Sequence, residues 1–134
     1  ACTPDEPLMV NVVAAEAAQI LFLNVSRVLQ VCPNGCGHHN TLIRNLLALS
    51  AQKNLNLSRK IFHTSPKTIR GRLLSYLSYQ SMRSGSSSFT IPFNRQQLAD
   101  YLNVDRSALS NELSKMQRDG LIQVERNRFV LLGV

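Results

Sequence analysis

The stretch from Asn94 to Met116, NRQQLADYLNVDRSALSNELSKM, constrains this chain most, because it carries its own start and stop signals for two short helices. Asn94 offers a capping oxygen, and Gln97 stands three residues on, where a capping-box partner belongs. Leu98 and Leu102 repeat at i, i+4, with Ala99 beside them, small enough for a second helix to cross closely. Asn103 tolerates the left-handed conformation of an abrupt helix end. Val104 plugs the turn, and Asp105 caps a second helix with an inner face of Leu109, Leu113 and Met116. Arg106, Ser107, Ser110 and Asn111 are then expected to point outward from its first two turns. All four are hydrogen-bonding types, and a DNA-reading helix presents base edges with its N-terminal residues. Helix pairs of this kind are also common in all-α proteins that never touch DNA, so spacing alone does not decide the function.

Charge placement adds to the reading. The 134 residues carry a net charge of +7 with a pI near 9.9. Residues 66–134 hold ten Lys or Arg against five Asp or Glu, a net +5, whereas residues 1–65 carry only +2. The excess therefore accompanies the helix pair and favours a polyanionic partner. A hydrophobic content of 44% is enough for a packed core. No segment approaches the roughly 18 uninterrupted apolar residues of a membrane span. The run from Leu8 to Leu23 lacks the basic leader of a signal peptide. Three cysteines make no even disulfide framework, so a cytoplasmic location is expected.

Upstream, residues 8–23 read as two short strands broken near Ala15 to Ala18, and Ser26 to Val31 as one or two helical turns. Two strands cannot form a stable sheet unaided. With the opening Ala-Cys-Thr-Pro, which lacks an initiator methionine, they suggest the C-terminal part of a longer protein entered midway through a β-domain. Cys32-Pro-Asn-Gly-Cys-Gly-His-His39 combines thiolate and imidazole, the ligand types zinc prefers. Only His63 stands elsewhere as a second-pair ligand, so a turn feeding a helix is favoured over a metal site, and no metal or cofactor is expected in this chain. A nucleophilic Cys36 with His38 or His39 as base lacks an orienting acid and oxyanion donors, so no enzyme is expected.

From His39 to Phe62 there is neither Gly nor Pro, and Leu42, Ile43, Leu46, Leu47, Leu49, Leu55, Leu57 and Ile61 form a broad stripe at spacings of three and four. A helix of about 22 residues runs about 33 Å and exposes more apolar surface than one small neighbour covers. Dimerisation through Leu42, Ile43, Leu46, Leu47 and Leu49 is the expected outcome, with packing inside one chain as the alternative. Ser65 and Pro66 are the expected cap and first residue of the next helix, with Ile69, Leu73, Leu74 and Leu77 on its inner side and Lys67, Arg70 and Arg72 on the other. Tyr76 and Tyr79 suit a core edge better than a base-stacking platform. Phe89–Phe93 reads as a short edge strand ending at a proline. Asp119-Gly120 supplies a helix stop, and LIQVERNRFVLL reads as two strands around a turn near Arg126-Asn127-Arg128. A hairpin directly after the second helix, with two arginines at its tip, suits phosphate contact by a wing.

With helix, strand, helix pair and hairpin in this order, residues 66–132 resemble the C-terminal DNA-binding domain of the Crp/Fnr family of bacterial transcription regulators. FTIPFNRQQLADYLNVDRSALSNELSKMQRDGLI is the specific part. Upstream, His39–Phe62 resembles that family's dimerisation helix and residues 8–31 the end of its sensing barrel. The resemblance implies an α+β fold, mainly α with small β: a barrel remnant over 1–31, a linker turn and long dimerisation helix over 32–63, and a winged helix-turn-helix over 64–134. It implies a homodimer on a pseudo-palindromic promoter site in double-stranded DNA, with RNA polymerase as a further partner and an effector site mostly outside this chain. Arg106, Ser107 and Asn111 fall at the family's base-reading positions, with Ser110 beside them. Asn94, Arg95 and Gln96 fall where backbone contacts are made, and Arg126 and Arg128 on the wing. Many relatives carry Glu where Ser107 stands and Arg where Asn111 stands, so a different half-site is expected. Asp105 and Ala108 replace hydroxyl residues that touch phosphate in the best-known member. That loss motivates the alternative of a protein–protein module whose winged helix no longer binds DNA. The family's iron–sulfur sensors use a cysteine cluster ahead of the barrel, and Cys32 and Cys36 do not match it.

Overall fold

Helix caps and glycine stops divide the chain into short elements, seen in a computed structural model that describes residues 11–30 and 37–132, apart from the side chain of Leu29. The chain divides into two compact units, 1–52 and 53–134.

In the first unit, residues 11–24 form no strand, and Val12, Ile20, Leu21 and Phe22 are exposed. The two expected strands are thus not formed over the described part of 8–23. A strand needs a ladder partner, and none stands among the described residues to satisfy its N–H and C=O groups. The expected short helix is present as α1 (Val25–Leu29), whose cap Asn24 accepts from the Arg27 N–H at 3.2 Å. Cys32 and Cys36 lie outside the described residues. The long helix α2 (Gly37–Thr64) runs for 28 residues, two further at each end than its apolar stripe predicts. His39 Nε2 hydrogen-bonds the Val28 carbonyl, joining its first turn to α1.

The second unit takes up α2 at Lys53. Ser65 and Pro66 do not start the next helix. The Ser65 hydroxyl instead donates back to the Ile61 carbonyl at 2.7 Å, closing α2, and α3 (Ile69–Ser84) begins after Thr68. Thr68 Oγ1 accepts from the Gly71 N–H at 3.0 Å, so the better-placed hydroxyl three residues on wins the capping role. Glycine is required at 71, because a Cβ there would stand 2.9 Å from the Pro66 Cβ.

α3 then feeds a three-stranded antiparallel sheet and the helix pair. Strand β1 (Ser88–Thr90) is shorter than the expected Phe89–Phe93, since the chain leaves the ladder ahead of Pro92, which has no N–H to give. The helices α4 (Arg95–Leu102) and α5 (Arg106–Arg118) follow, then the hairpin β2 (Ile122–Glu125) and β3 (Arg128–Leu131). Strand order is β1-β3-β2, so β1 is an edge as expected. Phe89 pairs with Phe129 in register, their rings stacked at 6.3 Å and 11°.

One core serves all of these elements. Leu73 and Leu77 of α3, Leu98, Ala99 and Leu102 of α4, Leu109, Leu113 and Met116 of α5, and Ile122, Phe129 and Leu131 of the hairpin are buried together. Ala99 is fully buried at the crossing, as its small size requires. Tyr76 is buried within the core, deeper than the core edge expected of it. Full burial of one large apolar side chain contributes about 1.5–3 kcal/mol, so this cluster outweighs any single surface contact. The fold is mainly α with a small sheet, a winged helix-turn-helix.

Candidate nucleic-acid interface

Local hydrogen bonds set the geometry of the helix pair. Asn94 Oδ1 accepts from the Gln97 N–H and Gln97 Oε1 from the Asn94 N–H, both at 2.9 Å, a complete capping box. Asn103 ends α4 in the left-handed region at φ 55°, and its N–H reaches the Asp100 carbonyl. Asp105 Oδ1 accepts the N–H groups of Ser107 and Ala108 at 2.8 and 2.9 Å. The Ser107 hydroxyl also donates to Asp105, and with the two N–H bonds it holds the exposed Asp105 carboxyl below its ordinary range.

The outward face of α5 is polar. Arg106, Ser107 and Asn111 are exposed and Ser110 is half-buried. Arg106 has no ion-pair partner among the described residues. The hydroxyl of Ser107 is engaged by its own cap, which leaves Arg106 and Asn111 as the more available groups. The same face continues through Ser114, Lys115 and Arg118, which share a groove with Asn111. These three escaped the sequence reading, although i, i+3, i+4 and i+7 steps from Asn111 lead to them.

The flanks differ among themselves. Gln96 is exposed and donates to Asp100 at 2.8 Å. Arg95 is half-buried, its guanidinium 5.4 Å from the centre of the Phe129 ring, and burial pulls its pKa below the ordinary arginine value. Arg126 stands at the hairpin turn at φ 53°. Arg128 is the first residue of β3, not the tip, and its guanidinium donates to Ser88 Oγ at 3.2 and 3.3 Å. Glu125 pairs in register with Arg128, placing one carboxylate on an otherwise basic wing. Between wing and α5, Gln117 and Gln123 share a groove with Arg128.

Two arginines expected on the outer side of α3 are structural. Arg70 bridges Glu112 at 2.6 Å and Asp119 at 2.7 Å, tying α3 to both ends of the second half of α5. Arg72 donates to the carbonyls of Pro66, Leu102 and Asn103 at 2.9, 3.1 and 2.9 Å. On α2, Leu42, Leu47 and Leu49 are exposed, and Ile43 and Leu46 are half-buried. In the second unit, Leu55, Leu57, Ile61 and Phe62 of the same helix are exposed.

Residues 71–133 match the family model of the Crp-like helix-turn-helix domain. Among curated proteins, a 75-residue stretch is 31% identical to the transcriptional activator protein FnrL of Cereibacter sphaeroides. That match covers 49% of this chain and 30% of the relative. The matched stretch thus spans under a third of the length of that relative.

Proposed function

We propose that this chain, whose residues 71–133 match the Crp-like helix-turn-helix domain, is a regulator of the Crp/Fnr type that binds double-stranded DNA sequence-specifically and regulates transcription as a homodimer. The carrying observation is the exposed polar face of α5, capped at Asp105 and held against α4 by a buried core. Arg106, Ser107, Ser110 and Asn111 enter the major groove, and Arg106 and Asn111 read base edges, each bidentate contact worth about 1–3 kcal/mol of discrimination. Asn94 and Gln96 approach the sugar-phosphate backbone at the start of α4. Arg95 acts there chiefly by packing on Phe129. Arg126 and Arg128 hold phosphates from the wing.

Dimerisation is supported by α2, whose exposed leucines would leave an apolar stripe in water on a lone chain. Two copies place two copies of α5 on successive half-sites of a pseudo-palindrome. On this reading residues 1–31 are the end of a sensing barrel, 32–63 the linker turn and dimerisation helix, and 64–134 the reading domain. The effector is held by the remainder of that barrel, RNA polymerase is a further partner, and the protein works in the cytoplasm. No helix among the described residues is long and apolar enough to cross a membrane.

Selection of bound sequences from a random duplex pool tests the proposal. Enrichment of a two-fold symmetric motif is expected. Recovery of DNA without a common motif would overturn the sequence specificity, and no binding even at low salt would leave the protein–protein alternative standing.

A further inference from the structure

Away from α5, the last turns of α2 meet α3, the segment Pro92-Phe93 and the last turn of α4 in a cleft of about 280 Å³. Its walls include Tyr76, Tyr79, Phe93 and Tyr101, and its cations are Arg59 and Arg83, with no carboxylate lining it. Tyr76 and Phe93 lie within 26° of parallel at 6.1 Å, and Tyr101 stands 5.1 Å from Phe93, so the aromatic wall is continuous. The Arg59 guanidinium lies over the Tyr79 ring at 5.4 Å and donates to Asn56 at 3.4 Å. Neither Arg59 nor Arg83 has an acidic partner among the described residues.

The Tyr76 hydroxyl supplies an independent observation. Tyr76 is 2% exposed, and its hydroxyl is buried without a hydrogen-bond partner. The Gln80 side chain lies beside it. Burial, then the neighbouring Tyr101, push its pKa up to about 12, while Gln80 and then the charge of Arg83 pull the other way. The group is therefore a neutral donor at physiological pH. A buried hydroxyl with no acceptor costs free energy that an incoming anion would recover.

We propose that this cleft binds a small carboxylate carrying one planar ring. The ring lies among Tyr79, Tyr101 and Phe93, and the carboxylate accepts from the Tyr76 hydroxyl and pairs with Arg83 and Arg59. The volume admits a single ring and its substituent but not a nucleotide. Stacked aromatic and guanidinium planes suit a flat ligand, and the guanidinium fork suits a carboxylate. Such a ligand would bridge α2 to α3 and α4, coupling occupancy to the helix that packs against α5.

The chain has only three tyrosines, and all three line this cleft. Their ring resonances in the 134-residue protein report on the site directly. Benzoate, benzyl alcohol and inorganic phosphate serve as probes, each titrated at constant ionic strength and pH. Saturable shifts of the tyrosine rings with benzoate are expected, at least about tenfold weaker in Arg83→Gln and in Tyr76→Phe. Arg83 is exposed, so its variant should retain the wild-type methyl spectrum. Absence of saturable shifts overturns the proposal. Equal affinity for benzyl alcohol or for phosphate also overturns it, because the carboxylate or the ring would then not be read. So does unchanged benzoate affinity in both variants. None of these readouts involves DNA, so failure here leaves the proposed regulator intact.

Discussion

Arg72 of α3 donates a hydrogen bond to the main-chain carbonyl of Asn103, 2.9 Å away and 31 residues on. Asn103 is the left-handed residue that ends α4, and the same guanidinium nitrogen also serves Leu102. A helix leaves its last carbonyls without intrahelical partners, and here an arginine from a neighbouring helix supplies them. The turn of the helix pair is therefore held from outside as well as by its own caps.

Arg72→Met should consequently loosen the turn. Loss of charge-assisted bonds to three carbonyls is expected to cost about 2–3 kcal/mol, read as a lower denaturation midpoint. Lys67→Met, on an exposed residue beside the same helix, should change it by less than about 0.5 kcal/mol. Equal effects of the two substitutions would show that the Arg72 contacts are not structural.

Asn94→Ala removes one half of the capping box and should destabilise by about 1 kcal/mol. Asn94→Ser retains an acceptor oxygen and should recover most of the loss. If serine is no better than alanine, the cap bonds seen here contribute nothing measurable.

The two classes of arginine should separate in DNA binding. Arg106→Ala is expected to relax base preference at one position of each half-site. Arg128→Ala should weaken all sequences alike and reduce the salt dependence. Competition titrations on the selected motif and on scrambled duplexes, at two salt concentrations, measure both. Identical uniform losses would sink the division of roles.

Leu47→Glu places a charge on the exposed stripe of α2. Sedimentation should show wild-type dimers and variant monomers, with unchanged helicity. A wild-type monomer at micromolar concentration would remove α2 as the dimer interface.

His63 is 1% exposed at the end of α2, its Nδ1 2.9 Å from Ser75 Oγ and its Nε2 without a partner. Burial, then the charge of Arg59, lower its pKa below the ordinary 6.5. The fold therefore favours the neutral ring. Below pH 6.5 the unfolded chain takes up the proton first, so stability is lost as pH falls from 6.5 toward the lowered value. His63→Gln should have a flatter melting-temperature profile between pH 7 and pH 5 than the wild type. A parallel decline in both proteins would assign the dependence to other groups.

Much of the reading head was legible because its determinants are local. The Asn94–Gln97 box, the Asn103 stop and the Asp105 cap each join residues two to four apart, so residue types at fixed spacing suffice. Leu109, Leu113 and Met116 were legible for the same reason, since a helical period names its buried face. The strands expected over 8–23 do not form over the described part of that range, 11–23, because β-structure needs a partner that local pattern cannot supply. The cap chosen at 65 instead of 68 failed because two hydroxyls compete within one turn and only the path of the chain selects between them.

The sequence by itself determined a capped helix pair, a following hairpin and a long apolar-striped helix, since short-range hydrogen bonds and helical periodicity are written in residue spacing. Only the tertiary structure decided which cations remain available. Arg70 and Arg72 are spent on α5 and on the turn, Arg95 lies on Phe129, and Arg59 and Arg83 gather at a tyrosine cleft. A side chain's function depends on what it meets across 30 or more residues of chain, and that meeting is fixed by how the core packs.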